Sequence, residues 1–309
     1  LFSGKVTADY ANRMAEKVVG KAGLEVHRDT YSMDTARDES AMGRSAKVGA
    51  EFQFDRGSAF EVGAKSLGLK ERDRTAPYVR LDYRFKQPWQ LLVNYDENLG
   101  NGYFRNVFLP DHYVEMSGVK ASLKQRTSAR LNYRAKEKFH LGIELFNERE
   151  KDALESVDQF DPVRSVLTSQ NRYIPDAQRK GVTFSASAKL EEHFNISAES
   201  TLQDPKNRKT GSQISYEPRK TFQISLRYDR GPLEFGISRA ALMDRTAYVP
   251  LAAVQAEDYS RTDLKVRYQF DDHLAAFVSV RDLYDQQKEK RWDVPEEGRM
   301  TKAGVEFGF

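Results

Sequence analysis

The chain has 309 residues, of which 39% are apolar and 31% are charged, and its mean hydropathy is −0.70. Because it contains no run of about 18 apolar residues, this composition excludes a helical membrane protein. The 49 basic and 46 acidic residues leave a net charge of +3, which is too balanced to indicate a nucleic-acid partner. Cysteine is absent, so no disulfide framework is available.

The N-terminal third begins with alternating apolar and polar residues in segments 1–12 and 20–32. A polar stretch, 33–43, follows and is predicted to be a loop. The alternation is clearest in segment 44–54, where one strand face collects Ala46, Val48, Ala50, Phe52 and Phe54. Strict alternation over this length predicts a strand with two chemically different faces.

The same pattern repeats as pairs of strands joined by short turns. The clearest pairs are 79–85 with 89–95, 131–133 with 139–145, 182–190 with 194–198, 222–228 with 233–237, and 264–270 with 274–280. Longer polar segments, above all 150–177 and 285–298, fall at the opposite strand ends and are predicted to be loops. Short turns at one end and long loops at the other are typical of outer-membrane barrels, whose average hydropathy resembles that of soluble proteins.

We therefore predict an all-β fold, a transmembrane antiparallel up-and-down β-barrel embedded in the lipid of the bacterial outer membrane as one domain, 1–309. We expect about 16 strands, because single-chain bacterial barrels have an even number. One of the segments 1–12 and 20–32 should then not be a barrel strand. The segments 103–109 and 113–123 form a weak pair of candidate strands, and an even total requires that both or neither belong to the barrel. No signal peptide is recognisable, so we expect a mature fragment or the C-terminal domain of a longer protein.

Charged residues occupy the strand faces opposite the apolar ones, and these are the candidate functional residues. They are predicted to face the lumen: Arg80, Asp82, Arg84, Arg130, Arg134, Glu144, Arg227, Asp263, Lys265, Arg267 and Arg281. A barrel of this size encloses an aqueous channel. The residues could guide a charged or hydroxyl-rich solute, or they could form a wall of ion pairs that compensate one another.

Catalysis and cofactor binding have little support in the sequence. The five histidines include His112, His193 and His273 in or beside predicted turns, and no nucleophile is placed with His140 and Glu144. There is no Cys/His spacing for a metal and no glycine-rich phosphate loop. We expect a protein that is not an enzyme and that carries no cofactor or metal.

The final ten residues, 300–309, alternate up to a terminal Phe309. This segment resembles the closing strand of bacterial outer-membrane barrels. The size of the predicted barrel resembles the C-terminal domain of exopolysaccharide-export porins of the Pel type. That resemblance implies a pore for a polysaccharide chain, gated by loops 33–43 and 150–177. It also implies a periplasmic repeat domain or an outer-membrane lipoprotein as partner.

Three other interpretations remain open. Segment 278–285, which is followed by a loop and the final strand, resembles the penultimate strand of TonB-dependent receptors. Those receptors carry a plug domain and about 22 strands. A general-diffusion or substrate-specific porin would use the acidic segment 150–177 as a constriction loop. A soluble all-β binding protein would show the same alternation.

Overall fold

The structure is a computed structural model, and its description covers most of the chain. It describes residues 2–15, 18–32, 38–54, 57–69, 72–85, 88–99, 122–135, 138–161, 166–249, 252–286, 289–291, 294–295 and 298–307. The weak pair predicted at 103–109 and 113–123 lies almost entirely in 100–121, outside the described residues.

The described residues form strands joined by turns and irregular segments. In chain order the strands are β1 (Phe2–Ala15), β2 (Val18–Ser32), β3 (Asp38–Gln53), β4 (Ala59–Leu69), β5 (Arg72–Arg84), β6 (Trp89–Leu99), β7 (Leu123–Ala135), β8 (Phe139–Lys151), β9 (Ala153–Asp161), β10 (Val166–Ile174), β11 (Ala177–Lys189), β12 (Phe194–Asn207), β13 (Lys220–Arg230), β14 (Leu233–Met243), β15 (Arg245–Val249), β16 (Ala252–Ala256), β17 (Tyr259–Gln269), β18 (Leu274–Arg281), β19 (Glu289–Arg291), β20 (Val294–Pro295) and β21 (Met300–Phe307).

Fifteen of the described strands form one sheet, in the order β1-β2-β3-β4-β5-β6-β7-β8-β11-β12-β13-β14-β17-β18-β21. Three pairs form separate two-stranded sheets: β9 with β10, β15 with β16, and β19 with β20. The pairs with a described register are antiparallel. Gly57 and Gly231 lie in two short connections with φ of +73° and +57°, where a side chain would be strained.

The chain divides into two compact units. The first comprises Leu1–Leu131, Leu145–Lys180 and Lys206–Ile214, and the second comprises Asn132–Glu144, Gly181–Pro205 and Ser215–Phe309. The first unit contains a small buried core at the base of the β9–β10 hairpin, built from Ala153, Ile174, Ala177 and Ile214. The second contains β13, β14, β17, β18 and β21 together with the β15–β16 hairpin.

Among the side chains that the structure describes, exposed apolar ones lie on one face of strands such as β3, β8, β11 and β21, as the alternation predicts. Val48 is 64% exposed, whereas the side chains of Glu51 and Glu61 on the opposite face are 17% and 13% exposed. In the second unit Val305 and Phe307 are 55% and 69% exposed. A protein that shelters carboxylates and exposes Val and Phe inverts the usual preference, which indicates that hydrocarbon contacts the apolar face.

Both N-terminal segments are strands, so the prediction that one of 1–12 and 20–32 would not be a strand of the sheet is wrong. They pair as β1 and β2 from Phe2 opposite Thr30 to Ala15 opposite Val18, and β2 in turn pairs with β3. In the described sheet β2 bonds to two neighbouring strands and β1 to one, and these backbone hydrogen bonds form strands even where the apolar alternation is weak. The total of 16 strands stays a prediction, because the described part of the sheet accounts for fifteen.

Three of the predicted loops contain strands. Strand β3 begins at Asp38, within the predicted loop 33–43, because Asp38 to Gly43 continue the ladder with β2. Segment 150–177 contains the hairpin of β9 and β10, which pair from Ala153 opposite Ile174 to Asp161 opposite Val166. Segment 285–298 contains β19 and β20. Polar composition concealed these strands, because a strand outside hydrocarbon needs no apolar face.

Candidate binding surface on the polar face

The polar face of the sheet is defined here as the face opposite the exposed apolar side chains. By strand alternation it carries all eleven residues that the sequence analysis singled out. The registers show which of these residues are neighbours, and this arrangement could not be obtained from the alternation alone.

In the second unit, five neighbouring strands align cations with small residues. One row of the polar face crosses β13, β14, β17, β18 and β21 at Arg227, Gly236, Lys265, Ser279 and Lys302. The next row on this face contains Ser225, Ser238, Asp263, Arg281 and Met300. Together the two rows line a cavity of about 500 Å³, which we call the row cavity. The row cavity exists because the small residues do not fill this space, and the long cationic side chains border it.

An ion-pair network lies beside the row cavity, toward the short turns. Arg267 Nε donates to Glu306 Oε2 at 2.9 Å, and its Nη1 donates to Glu234 Oε1 at 3.3 Å. Within the cavity wall, Arg261 Nε donates to Asp263 Oδ2 at 3.0 Å. These contacts neutralise Arg267 and Asp263, both of which the sequence analysis proposed as solute-guiding residues.

Two cations of the row cavity lack such compensation. No carboxylate of the described residues lies within 4.0 Å of Lys265 Nζ or Lys302 Nζ. Both lysines are exposed and they lie in the same row, separated by Ser279. The row cavity therefore contains positive charge that the described side chains do not balance.

The structure places the other predicted residues outside this cavity. In the first unit, Asp82 accepts a hydrogen bond of 2.7 Å from Gln90 Nε2 and lies 3.8 Å from Arg84 Nε. Arg80 on β5 lies opposite Glu61 on β4 in the strand register. The remaining three, Arg130, Arg134 and Glu144, lie on β7 and β8.

Sequence reasoning missed a buried charge cluster in the first unit, at the loop ends of β7, β8 and β11. The side chain of Glu148 is only 3% exposed, yet it lies 2.8 Å from Lys124 Nζ and 3.3 Å from both Arg126 Nη1 and Arg179 Nη1. Arg179 also binds Glu150 at 2.8 Å. Extending the alternation of β7 and β8 beyond their apolar segments would have placed Lys124, Arg126 and Glu148 on one face, but strand ends are not marked in the sequence.

The β15–β16 hairpin of the second unit is anchored by a buried arginine. Arg245 is 2% exposed, and its Nη2 donates to the backbone carbonyl of Glu257. Burial lowers the pKa of Arg245 below its ordinary value, while the nearby Asp258 opposes that shift. The backbone N–H of Tyr216 donates to the carbonyl of Thr246 at 2.7 Å. This hydrogen bond holds the segment between β12 and β13 against the hairpin.

Neither a metal cluster nor a membrane-spanning helix occurs in the described part of the chain. No group of three His, Asp or Glu side chains there is placed to hold a metal ion. No helix there is long and apolar enough to cross a bilayer.

Comparison with protein families identifies the chain. The family model described as "TonB dependent receptor-like, beta-barrel" matches residues 28–283, which is most of the sequence. The chain belongs to this family. The TonB-dependent receptor barrel is a transmembrane β-barrel of the bacterial outer membrane, so the predicted fold class and location are confirmed. Because the family consists of transporters, the expectation that the protein is not an enzyme is also confirmed.

Solved TonB-dependent receptor structures show the same fold. The siderophore receptor PirA from Acinetobacter baumannii matches with a TM-score of 0.68 and 13% identity over 99% of this chain and 54% of PirA. The ferric enterobactin receptor PfeA from Pseudomonas aeruginosa matches with a TM-score of 0.69 and 15% identity, over 99% of this chain and 54% of PfeA. The FrpB iron transporter from Neisseria meningitidis matches with a TM-score of 0.64 and 15% identity, over 99% of this chain and 56% of FrpB. The chain thus spans about half the length of these proteins. A search of curated protein sequences found no match.

The family match corrects the resemblance to exopolysaccharide-export porins. The TonB-dependent receptor model covers residues 28–283, and the structural matches are receptors of that class. A polysaccharide chain and a periplasmic repeat or lipoprotein partner are therefore not supported. The pattern of segment 278–285 pointed to the right family, but barrel size and strand count, which carried the other resemblance, do not discriminate between families.

Proposed function

We propose that this chain forms part of the barrel of an outer-membrane receptor that imports an iron chelate with energy delivered by TonB. The family match over 28–283 carries the proposal. PirA and PfeA are described as a siderophore receptor and a ferric enterobactin receptor, and FrpB as an iron transporter, which supports iron as the transported metal. Since the chain covers about half of each, further strands of the barrel would lie outside it.

In this proposal the polar face lines the lumen and the apolar face contacts lipid. All eleven predicted residues would then face the pathway, but with different roles. Arg267 and Asp263 are held by neighbours at 2.9–3.3 Å and would stabilise the wall. Lys265, with no described carboxylate partner, would be available to a solute. Loop-end hairpins such as β9–β10 would border the outer mouth, where the gating expected of segment 150–177 remains a prediction.

Uptake of radioactive iron in whole cells tests this function. Cells that produce the full-length receptor should accumulate iron from at least one ferric siderophore. Cells that lack the receptor gene should not, and cells that lack TonB should bind the chelate without accumulating it. Growth on that siderophore as sole iron source should follow the same pattern. If no ferric chelate in a panel of catecholates, hydroxamates and carboxylates distinguishes the receptor-deficient cells, iron uptake is excluded.

A further inference from the structure

The two lysines of the row cavity form a pair with a defined geometry. Lys265 on β17 and Lys302 on β21 both lie opposite Ser279 of the intervening strand β18. Neighbouring strands are about 4.8 Å apart, so the two lysines leave the sheet about 10 Å apart. Their flexible side chains are directed to the same side of the sheet and can both reach a ligand that lies over Ser279.

The cavity beside this pair has room for a small molecule. Its floor is made of small side chains, Ser225, Gly236, Ser238 and Ser279, and its volume is about 500 Å³. A Cβ atom added to Gly236 would meet no atom within 4 Å, so the space above this glycine is open. Small ligands occupy cavities of this size, and hydroxyl groups on the floor can donate hydrogen bonds to an anion.

The charge around the cavity selects the sign of the ligand. Arg267 is neutralised by Glu234 and Glu306, and Asp263 is neutralised by Arg261. Lys265 and Lys302 have no carboxylate within 4.0 Å among the described residues. An anion with two charged groups would relieve the repulsion between the lysines and form two charge-assisted hydrogen bonds.

We propose that the row cavity is a binding site for a multivalent oxyanion. One phosphate or carboxylate group binds Lys265 Nζ and a second binds Lys302 Nζ, while the Ser279 hydroxyl donates a hydrogen bond between them. The ligand is an oligophosphate or an oligocarboxylate, since these classes place charged oxygens several ångströms apart. The site requires no metal, so it goes beyond the proposed iron uptake.

Calorimetric titration of the full-length protein in a non-ionic detergent, in buffer passed over a chelating resin to remove metal ions, tests the site. The probes are pyrophosphate and tricarballylate, which separate a phosphate ligand from a carboxylate ligand. At least one should bind saturably. K265Q and K302Q should each weaken binding about tenfold, because each removes one charge-assisted hydrogen bond, and the double variant should abolish it. G236L should also weaken binding by filling the cavity without a change of charge.

K189Q is the matched control. Lys189 is an exposed lysine on the polar face of β11, and it does not line the row cavity. K189Q should change the affinity less than about twofold, because only general electrostatics is altered. Equal losses in K189Q and K265Q, unchanged affinity in the double variant, or no saturable binding by the native protein would each overturn the proposal. None of these outcomes bears on iron uptake, which is measured separately in cells.

Discussion

The ring of Tyr78 in β5 lies across Gly63 in β4 and reaches Gly49 in β3. A Cβ atom at Gly63 would lie 2.6 Å from Tyr78 Cε1 and 2.7 Å from the Cα of Gly49. The three residues face one another across adjacent strands, and Tyr78 is only 7% exposed. The absence of two side chains therefore creates the groove that the tyrosine ring fills, which fixes the register of three strands in the first unit.

Gly63→Ala should destabilise the receptor. The added methyl group must displace the buried ring or the backbone of β3, and overpacking of this kind costs about 1–3 kcal/mol. The effect is measured by chemical denaturation of the purified protein in detergent, with the loss of heat-modifiable gel migration as the readout of unfolding. Gly236→Ala is the control, since its Cβ would meet nothing within 4 Å. If the two variants unfold at the same denaturant concentration, Tyr78 does not occupy this groove.

Glu148→Gln should destabilise the loop ends of β7, β8 and β11 in the first unit. The change removes the carboxylate that Lys124, Arg126 and Arg179 share, so these cations would repel one another. Breaking a fully buried ion pair costs about 3–5 kcal/mol, but Lys124 and Arg126 are 36% and 41% exposed, which reduces the expected loss to about 2 kcal/mol.

The measurement for Glu148→Gln is the free energy of unfolding at low and high salt, and the effect should shrink as salt screens the cations. Asp229→Asn provides the comparison. Asp229 lies 3.4 Å from Arg227, but its side chain is 48% exposed, and exposed ion pairs contribute about 0–1 kcal/mol. If Asp229→Asn lowered the free energy of unfolding more than Glu148→Gln does, the expectation that the more buried ion pair contributes more to stability would be contradicted.

Phe184→Arg should impair membrane insertion, whereas Ser185→Arg should not. Phe184 is 46% exposed on the apolar face of β11, and Ser185 is the next residue, on the polar face. An arginine facing the bilayer midplane costs about 2–4 kcal/mol. The yield of folded receptor in outer-membrane fractions and after refolding into lipid vesicles measures the difference. Equal yields would show that the two faces are assigned wrongly.

Ile174→Ala should loosen the β9–β10 hairpin without unfolding the sheet. Ile174 is 1% exposed in the four-residue core at the base of the hairpin, and truncating a buried isoleucine costs about 2–5 kcal/mol. Because the hairpin forms its own two-stranded sheet, the loss should appear as local opening. Proteinase K should cleave the hairpin faster in intact cells, while heat-modifiable migration stays native.

Lys151→Ala is the control for the hairpin experiment, because Lys151 is an exposed residue just before β9. Its cleavage rate should match that of the native protein. Global unfolding of the Ile174→Ala variant, or cleavage as slow as in the control, would show that this core does not determine the stability of the hairpin.

The alternation of side chains by itself determined which residues lie on the apolar face. The exposed side chains Val48, Phe184 and Phe307 all lie where period-two alternation placed them. This works because alternation is a local consequence of strand geometry, and because hydrocarbon on one side and water on the other require two different chemistries. The short turns were readable for the same reason, since each interrupts two apolar segments over a few residues.

Only the tertiary structure decided which polar residues meet. Lys265 and Lys302 are far apart in sequence, and the register of β18 with both neighbouring strands aligns them with Ser279. The cluster around Glu148 and the fit of Tyr78 over Gly63 likewise depend on pairing between strands. Register follows from backbone hydrogen bonds and packing summed along whole strands, so it is not encoded in any short segment. That is why the sequence identified the two faces, whereas only the fold shows which polar side chains are neighbours.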